Sequence, residues 1–294
     1  MPPVSLDSLN SASEADFIAA LGDIFEHAPW VAATTAGQRP FATLEALYQA
    51  MTRAVRDATA DRQVELIVGH PDLAGKAARA GEITAASRAE QSSAGLDSLT
   101  DQQYDAFHRW NAAYRAKFAM PFIVCVRRHT KESILAQCEQ RLNNTPAQEH
   151  EAALEEIFRI AALRLDERVA APERLKVHGR LSTHVLDTQA GRPGQGIPVE
   201  LVEISYNERR IVGGAVTNAD GRTNRPLIEG RPLPIGVYEL SFQVATYFAA
   251  QKARLDKPAF LDTIPIRFAI AEPEGHYHVP LLVTPWSYTT YRGS

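Results

Sequence analysis

The chain changes its hydrophobic period once, near residue 170. Upstream, apolar residues recur at helical spacing. Within 149–169, Leu154, Ile157, Phe158, Ala161 and Leu165 fall on one stripe, which predicts a helix with one buried face. The stretch 101–117 repeats the pattern with Tyr104, Phe107, His108, Asn111 and Tyr114. Segments 16–25 and 43–58 read as helices too, and few stretches of this half alternate as strands do. Downstream the period is two. Tyr238, Leu240, Phe242 and Val244 alternate with polar residues, as do Ile264, Ile266, Phe268 and Ile270, then Tyr277, Val279, Leu281 and Val283. The turn signals AGRPGQG, NADGRT, EGRPLPIG and AEPEG separate these runs, and one short helical stretch, 247–254, interrupts them.

The expected fold is therefore multidomain. An all-α N-terminal domain over 1–172 precedes an all-β antiparallel sandwich over 180–294. The charged, proline-bearing joint ERVAAPERLKVHGR places a linker at 173–179. The halves show no similarity to each other, so the chain reads as a fusion and not a repeat.

Composition narrows the function classes. The formal net charge is -4 and no Lys/Arg block stands out, which argues against nucleic acid as a partner. Two cysteines in 294 residues exclude a disulfide framework and point to a reducing compartment. No His/Cys cluster has zinc spacing, so no metal is expected. No apolar run approaches the roughly 20 residues that span a bilayer, and the first residues, MPPVSLDSLNSASEADF, lack the apolar core of a signal peptide. A cytoplasmic protein that contacts no membrane is the expectation.

Several short stretches carry candidate chemistry. In the C-terminal half they are LSTHVLDTQAGRPGQGIPVEL, TNADGRT and HYHVPLLVTPWSYTTYRGS. Read by themselves they are ambiguous. His276 and His278 fit a solvated strand face, His184 a satisfied structural histidine, and Arg222 an exposed turn residue. Together, from about residue 179 to 294 and with their spacing kept, they resemble the signature stretches of the 5-hydroxyisourate hydrolases of the transthyretin-related family. The resemblance implies a transthyretin-like sandwich and a hydrolytic site made of His184, Arg222 and His278, completed by Tyr291, Arg292 and Ser294 of the YRGS tail. His276 is left open between site and surface. A histidine near its reference pKa of ~6.5 can activate water, and an arginine offers a rigid fork to a ring of carbonyls and ureido nitrogens. The resemblance also implies a homotetramer with active sites at a dimer–dimer interface, where the tail is fixed by pairing.

In the N-terminal half, IFEHAPWVAATTA, GHPDLAGKAA, SRAEQSSAGLDSL and the run from FHRWNAAYRAKFAMPFIVCV to LEEIFRIAALRL resemble the 2-oxo-4-hydroxy-4-carboxy-5-ureidoimidazoline (OHCU) decarboxylases over roughly residues 5–170. The chain departs from that pattern at FAMPF and at RRH after CV. The resemblance implies His70 as acid/base, Glu90 and Gln91 as binders of the ureido and hydroxyl groups, and Arg164 as the offset to negative charge on the ring. Pro71, Ser87 and the Phe122–Ile123–Val124 backbone are implied as contacts, with His27 open. Read alone, His70 fits a helix-start loop and Glu90–Gln91 a solvated helix face. Arg164, beside the apolar stripe, either snorkels to solvent or meets a buried anion. His108, His129, His150 and His178 read as ordinary surface or core residues.

The two resemblances name successive steps of urate breakdown, with small-molecule substrates and no cofactor, since the substrate ring can act as its own electron sink. Fusion would raise the effective concentration of the second site around the first product. Homodimer contacts through the helical domain are expected beside the tetramer. Two rivals remain at this level: a transthyretin-like ligand-binding module on a helical scaffold, and a chain in which only one site works. The polar set His184, Arg222 and His278 speaks against a carrier for an apolar ligand, which would want apolar walls.

Overall fold

A computed structural model describes residues 3–74, 83–205, 208–251 and 255–293. The chain divides into two compact units, Met1–Arg127 with Ser133–Val177, and Arg128–Glu132 with His178–Ser294.

The first unit is helical among the described residues, apart from one parallel pair of two-residue strands, β1 (Val4–Ser5) and β2 (Val169–Ala170). Its helices are α1 (Leu6–Ser11), α2 (Glu14–Leu21), α3 (Pro29–Ala36), α4 (Leu44–Arg56), α5 (Ala60–Val68), α6 (Ala85–Ser93), α7 (Asp101–Phe118), α8 (Lys131–Arg141) and α9 (Pro146–Arg168). The sequence marks most of their starts. Ser5, Ser13, Thr43, Thr59, Thr84, Thr100 and Thr145 each accept a backbone N–H of the first turn through the side-chain hydroxyl. Each such cap stabilises its helix by about 1 kcal/mol. Thr100 and Thr145 form full capping boxes with Gln103 and Gln148. Helix α2 stops at Leu21, short of the expected end at 25, because Gly22 caps it. Phe17, Leu21, Leu47, Met51, Tyr114, Ile134, Leu154, Ile157 and Leu165 are buried in a common core.

The stretch expected as a linker is packed. Leu175 is buried in the helical core, its N–H donates to Asp166 Oδ1 at 2.9 Å, and Arg174 pairs with the same carboxylate.

The second unit is a sandwich. One sheet runs in the order β10 (Thr263–Ile270), β9 (Gly236–Gln243), β6 (Pro198–Ser205), β7 (Glu208–Val216), all antiparallel. The other strands form two short sheets. These are β11 (His276–His278), β3 (Gly179–Ser182), β8 (Ile228–Arg231), and β13 (Tyr288–Thr289), β12 (Leu281–Val283), β4 (Val185–Asp187), β5 (Arg192–Pro193). Two pairs, β11 with β3 and β12 with β4, are parallel. The alternation 277–283 predicts one strand but yields two, because Pro280 has no N–H to give to the ladder. Partners resume on either side, with Val279 N–H donating to Ser182 O at 3.0 Å and Leu281 N–H to His184 O at 2.8 Å. The core alternates as the sequence requires: Leu181, Val199, Leu201, Leu240, Phe242, Ile264, Leu281 and Val283 are buried. Helix α10 (Val244–Ala250) begins at the residue expected to end the strand before it. Residues 128–132 belong to this unit through a parallel bridge of His129 to Ile235.

Candidate active sites

In the helical unit, four segments converge on a narrow cavity of about 40 Å³. The loop after α5 supplies His70, Pro71 and Leu73; α6 supplies Ser87, Glu90 and Gln91; the stretch after α7, which ends in a short 3-10 turn, supplies residues 122–127; and α9 supplies Ile160, Leu163 and Arg164. The helical members sit at i, i+3, i+4 spacing in both helices, which puts each set on one face. Glu26, from the turn between α2 and α3, closes the set.

Arg164 organises the charges. Its Nε and Nη2 donate to both oxygens of Glu90, at 2.7 and 2.8 Å, and Nη2 also donates to Glu26 Oε2 at 3.0 Å. The buried anions it meets are therefore two protein carboxylates. Burial works against the guanidinium charge, but Glu90 and Glu26 outweigh it and raise the pKa. Glu26 is 4% exposed and is held in turn by Ser87 Oγ at 2.7 and 2.6 Å and by Thr84 Oγ1 at 2.6 Å. Burial raises its pKa, yet the hydroxyls of Ser87 and Thr84 and the charge of Arg164 leave the net shift downward.

His70 is 7% exposed, and its Nδ1 lies 2.8 Å from Leu66 O. A carbonyl only accepts, so Nδ1 carries the proton and Nε2 keeps a lone pair. Burial lowers the pKa first, with the Leu66 carbonyl and Glu26 pulling the other way. Gln91 is fixed by the Ala74 N–H, which donates to its Oε1 at 3.0 Å. His27 is exposed in a left-handed backbone conformation, φ 56°, and does not line the cavity.

In the sandwich, a wider cleft of about 340 Å³ is lined by Arg180, Ser182, Thr183, Arg222, Thr223, Asn224, Pro226, His276 and His278. The local sequence explains how each comes there. Parallel register sets His276 opposite Arg180 and His278 opposite Ser182. Ser182 Oγ lies 3.0 Å from His278 Nδ1 and 3.3 Å from His276 Nε2, so one hydroxyl orients both rings. NADGR is an Asn-initiated turn, in which Asn218 Oδ1 accepts from Asp220 N and Arg222 N at 3.0 and 3.2 Å. Gly221 has φ +71°, and a Cβ there would meet Val185 O at 2.2 Å, so glycine alone lets the turn close. Arg222 then bridges to His184.

His184 does not line the cleft, and its Nε2 is buried without a hydrogen-bond partner among the described residues. Burial, then the charge of Arg222, lowers the His184 pKa. For His278 the causes are burial, then Arg222, His184 and His276. The tail is only partly brought in. Gly293 N–H donates to His278 O at 2.9 Å, and a Cβ on Gly293 would lie 2.8 Å from His278 Cδ2. Tyr291 is exposed and Arg292 stacks on the Tyr277 ring at 4.8 Å; neither lines the cleft, and Ser294 lies outside the described residues.

Sequence reasoning passed over Glu26, Arg127, Arg180 and Ser182. Glu26 stands beside His27 inside the quoted IFEHAPW stretch, and that adjacency was the available signal. Ser182 opens the STH of LSTHVLD.

Comparison with known proteins agrees with this division. Residues 10–166 match the OHCU decarboxylase family and residues 181–293 the HIUase/Transthyretin family. A 5-hydroxyisourate hydrolase of Ralstonia nicotianae is 53% identical over 40% of this chain and 99% of its own length. A 2-oxo-4-hydroxy-4-carboxy-5-ureidoimidazoline decarboxylase of Haloferax volcanii is 40% identical over 58% of this chain and 99% of its own. A crystal structure of (S)-allantoin synthase is similar with a TM-score of 0.54 and 36% identity, covering 99% of this chain and 100% of that one. The chain thus belongs to the OHCU decarboxylase family through its helical unit and to the HIUase/transthyretin family through its sandwich.

Proposed function

We propose that the chain performs two successive reactions, opening 5-hydroxyisourate in the sandwich and decarboxylating the resulting OHCU to (S)-allantoin in the helical unit. The observation that carries this reading is the presence in one chain of both families, each with its own cluster of a histidine and an arginine.

In the sandwich, His278 and His184 are kept neutral by burial and by the nearby Arg222. A neutral imidazole takes a proton from water as the water attacks the ring carbonyl. Arg222 offsets the charge that develops on the carbonyl oxygen; the ring C–N bond then breaks as the imidazolium returns its proton to the departing nitrogen. The cleft is open and its tail only partly docked, which supports completion by a second subunit in a homotetramer.

In the helical pocket, His70 Nε2 takes the proton of the substrate hydroxyl and returns it to one face of the adjacent ring carbon. Between these events the C–CO2 bond breaks, carbon dioxide leaves, the electron pair moves through the ring onto the imine nitrogen, and that nitrogen takes a proton from water. Glu90, locked by Arg164, and Gln91, locked by Ala74, are set to hold the ureido and hydroxyl groups. Pro71, Ser87 and the Phe122–Val124 stretch complete the walls. No helix among the described residues is long and apolar enough to cross a membrane, and the substrates expected are small and polar.

The test supplies urate with urate oxidase and follows ultraviolet absorbance and circular dichroism together. Accelerated loss of both intermediates with single-handed product supports the reading; racemic product at the uncatalysed rate sinks the decarboxylase half. Dilution adds the oligomer: specific ring-opening activity should fall at low chain concentration while decarboxylation per chain holds, as an activity–dilution series with light scattering would read.

A further inference from the structure

The wall 122–125 of the decarboxylase pocket is held from behind by charged side chains that do not themselves line the cavity. Arg141 Nη1 donates to Ile123 O at 2.7 Å, and the guanidinium stacks on the Phe122 ring at 4.8 Å. One residue beyond Val124, the Cys125 N–H donates to Glu156 Oε2 at 2.8 Å. The wall is thus fixed at two points, with Val124 between them facing the cavity.

Both holders are themselves locked. Arg141 Nε donates to Glu149 Oε1 at 2.9 Å, and Asn144 Nδ2 donates to Glu149 Oε2 at 2.8 Å. Arg159 pairs with Glu156. Glu149 is fully buried and Arg141 is 7% exposed. Burial pushes Glu149 up and Arg141 down, so burial opposes ionisation of the pair and their mutual hydrogen bonds have to offset it. A packed apolar set of similar volume would often stabilise a core as well or better. What the charged set adds is direction: a planar fork and two carboxylates aim hydrogen bonds at chosen backbone atoms. Glu149 and Glu156 lie on α9, the helix that also carries Arg164, so one rigid element sets both the wall and the arginine of the pocket.

We infer that Arg141, Glu149 and Glu156 are positioning residues for the decarboxylation. They fix the Phe122–Cys125 backbone, and with it the face of the substrate ring that receives the proton. The inference rests on the decarboxylase reading of the helical pocket.

The experiment compares full-length Glu156→Gln, Glu156→Leu and Asn144→Ala with the unaltered chain. It measures decarboxylation kcat and KM, the handedness of the product with enzyme in excess, ring-opening as an internal control, and thermal unfolding. Glu156→Gln keeps an acceptor for Cys125 N–H and should retain most activity. Glu156→Leu removes it and should lose roughly 100-fold in kcat/KM, the scale expected for misplacement of about 1 Å, with eroded single-handedness and unchanged ring-opening. Asn144→Ala, which only loosens Glu149, should raise KM a few-fold at unchanged kcat, and it carries the test if Glu156→Leu does not fold. Variants that unfold earlier yet keep kcat, KM and handedness within about twofold would show a purely structural role and overturn the inference. An unaltered chain without decarboxylase activity would instead overturn the reading beneath it.

Discussion

In the helical pocket each named charge already has a protein partner: Arg164 holds Glu90 and Glu26, Glu26 holds two hydroxyls, and His70 is tied to Leu66. In the sandwich cleft Arg222 is exposed, His276 and His278 share one serine, and the neighbouring tail places Arg292 on Tyr277. The first site is preorganised within one chain. The second has its histidines set and its remaining walls open. A reaction whose outcome depends on which face of a ring is protonated needs the first kind of site. Hydrolysis by water has no such requirement, and an open cleft can serve it.

The largest expected effect separates the two sites outright. His70→Ala should cost decarboxylation ~10²–10⁴-fold and leave ring-opening intact, and His278→Ala should do the reverse. Coupled kinetics with ultraviolet absorbance for one step and circular dichroism for the other reads both. A folded variant that loses both activities would dissolve the comparison.

Next comes the claim that the helical pocket is held by its own ion network. Glu26→Ala leaves Arg164 with one carboxylate fewer and Ser87 without its acceptor. Breaking a buried pair from one side costs about 3–5 kcal/mol. The helical unit should therefore unfold earlier in a thermal scan, with the sandwich transition unmoved. By contrast Arg222→Ala, on an exposed side chain, should change stability by no more than about 0.5 kcal/mol.

A smaller effect tests the docked tail. Gly293→Ala forces a Cβ against His278 Cδ2, at 2.8 Å. The ring must give way, so ring-opening should fall about tenfold while decarboxylation is unchanged. An unaffected hydrolysis rate would detach the tail from the site.

What could be read ahead of the structure follows the range of the interactions. Several helices were legible because an apolar stripe repeats within a few residues, and the sandwich because its alternation is local. His70, Gln91 and Arg164 were reached through the family resemblance of their stretches, since each read alone had a bland alternative. Beyond its adjacency to His27, Glu26 gave no signal: its partners Thr84, Ser87 and Arg164 lie 58, 61 and 138 residues away. Ser182 escaped for a similar reason, since its histidines arrive only through a parallel pairing across 94 and 96 residues. The split of the 277–283 run was visible in Pro280 but hidden by an unbroken alternation of side chains. Why Arg292 stacks on Tyr277 has no counterpart in the sequence pattern at all.

The smallest expected effect is a pH dependence that both sites share for different reasons. The pKa values of His70, His184 and His278 are all lowered, burial coming first in each case. The second contribution differs. Arg222 adds to the shift in the sandwich, whereas around His70 the Leu66 carbonyl and Glu26 oppose it. A lowered histidine is neutral in the folded chain across neutral pH, so both activities should stay flat down to the ordinary imidazole value near 6.5 and decline only below it. For stability the sign is the same. Above about 6.5 neither state binds the proton and these histidines contribute nothing; below it the unfolded chain binds protons that the folded chain refuses, so stability falls with pH. Glu26 adds a second loss in the helical unit alone. Its lowered pKa stabilises the fold above the ordinary carboxylate value, and that stabilisation disappears as pH falls through the lowered one. Raising ionic strength should then sharpen the contrast, because salt screens the exposed Arg222 far more than the buried partners of His70. The acid limb of ring-opening should move upward with salt while that of decarboxylation stays in place. Paired pH–rate profiles at low and high salt measure this, and limbs that shift together would mean that the two histidine environments are electrostatically alike.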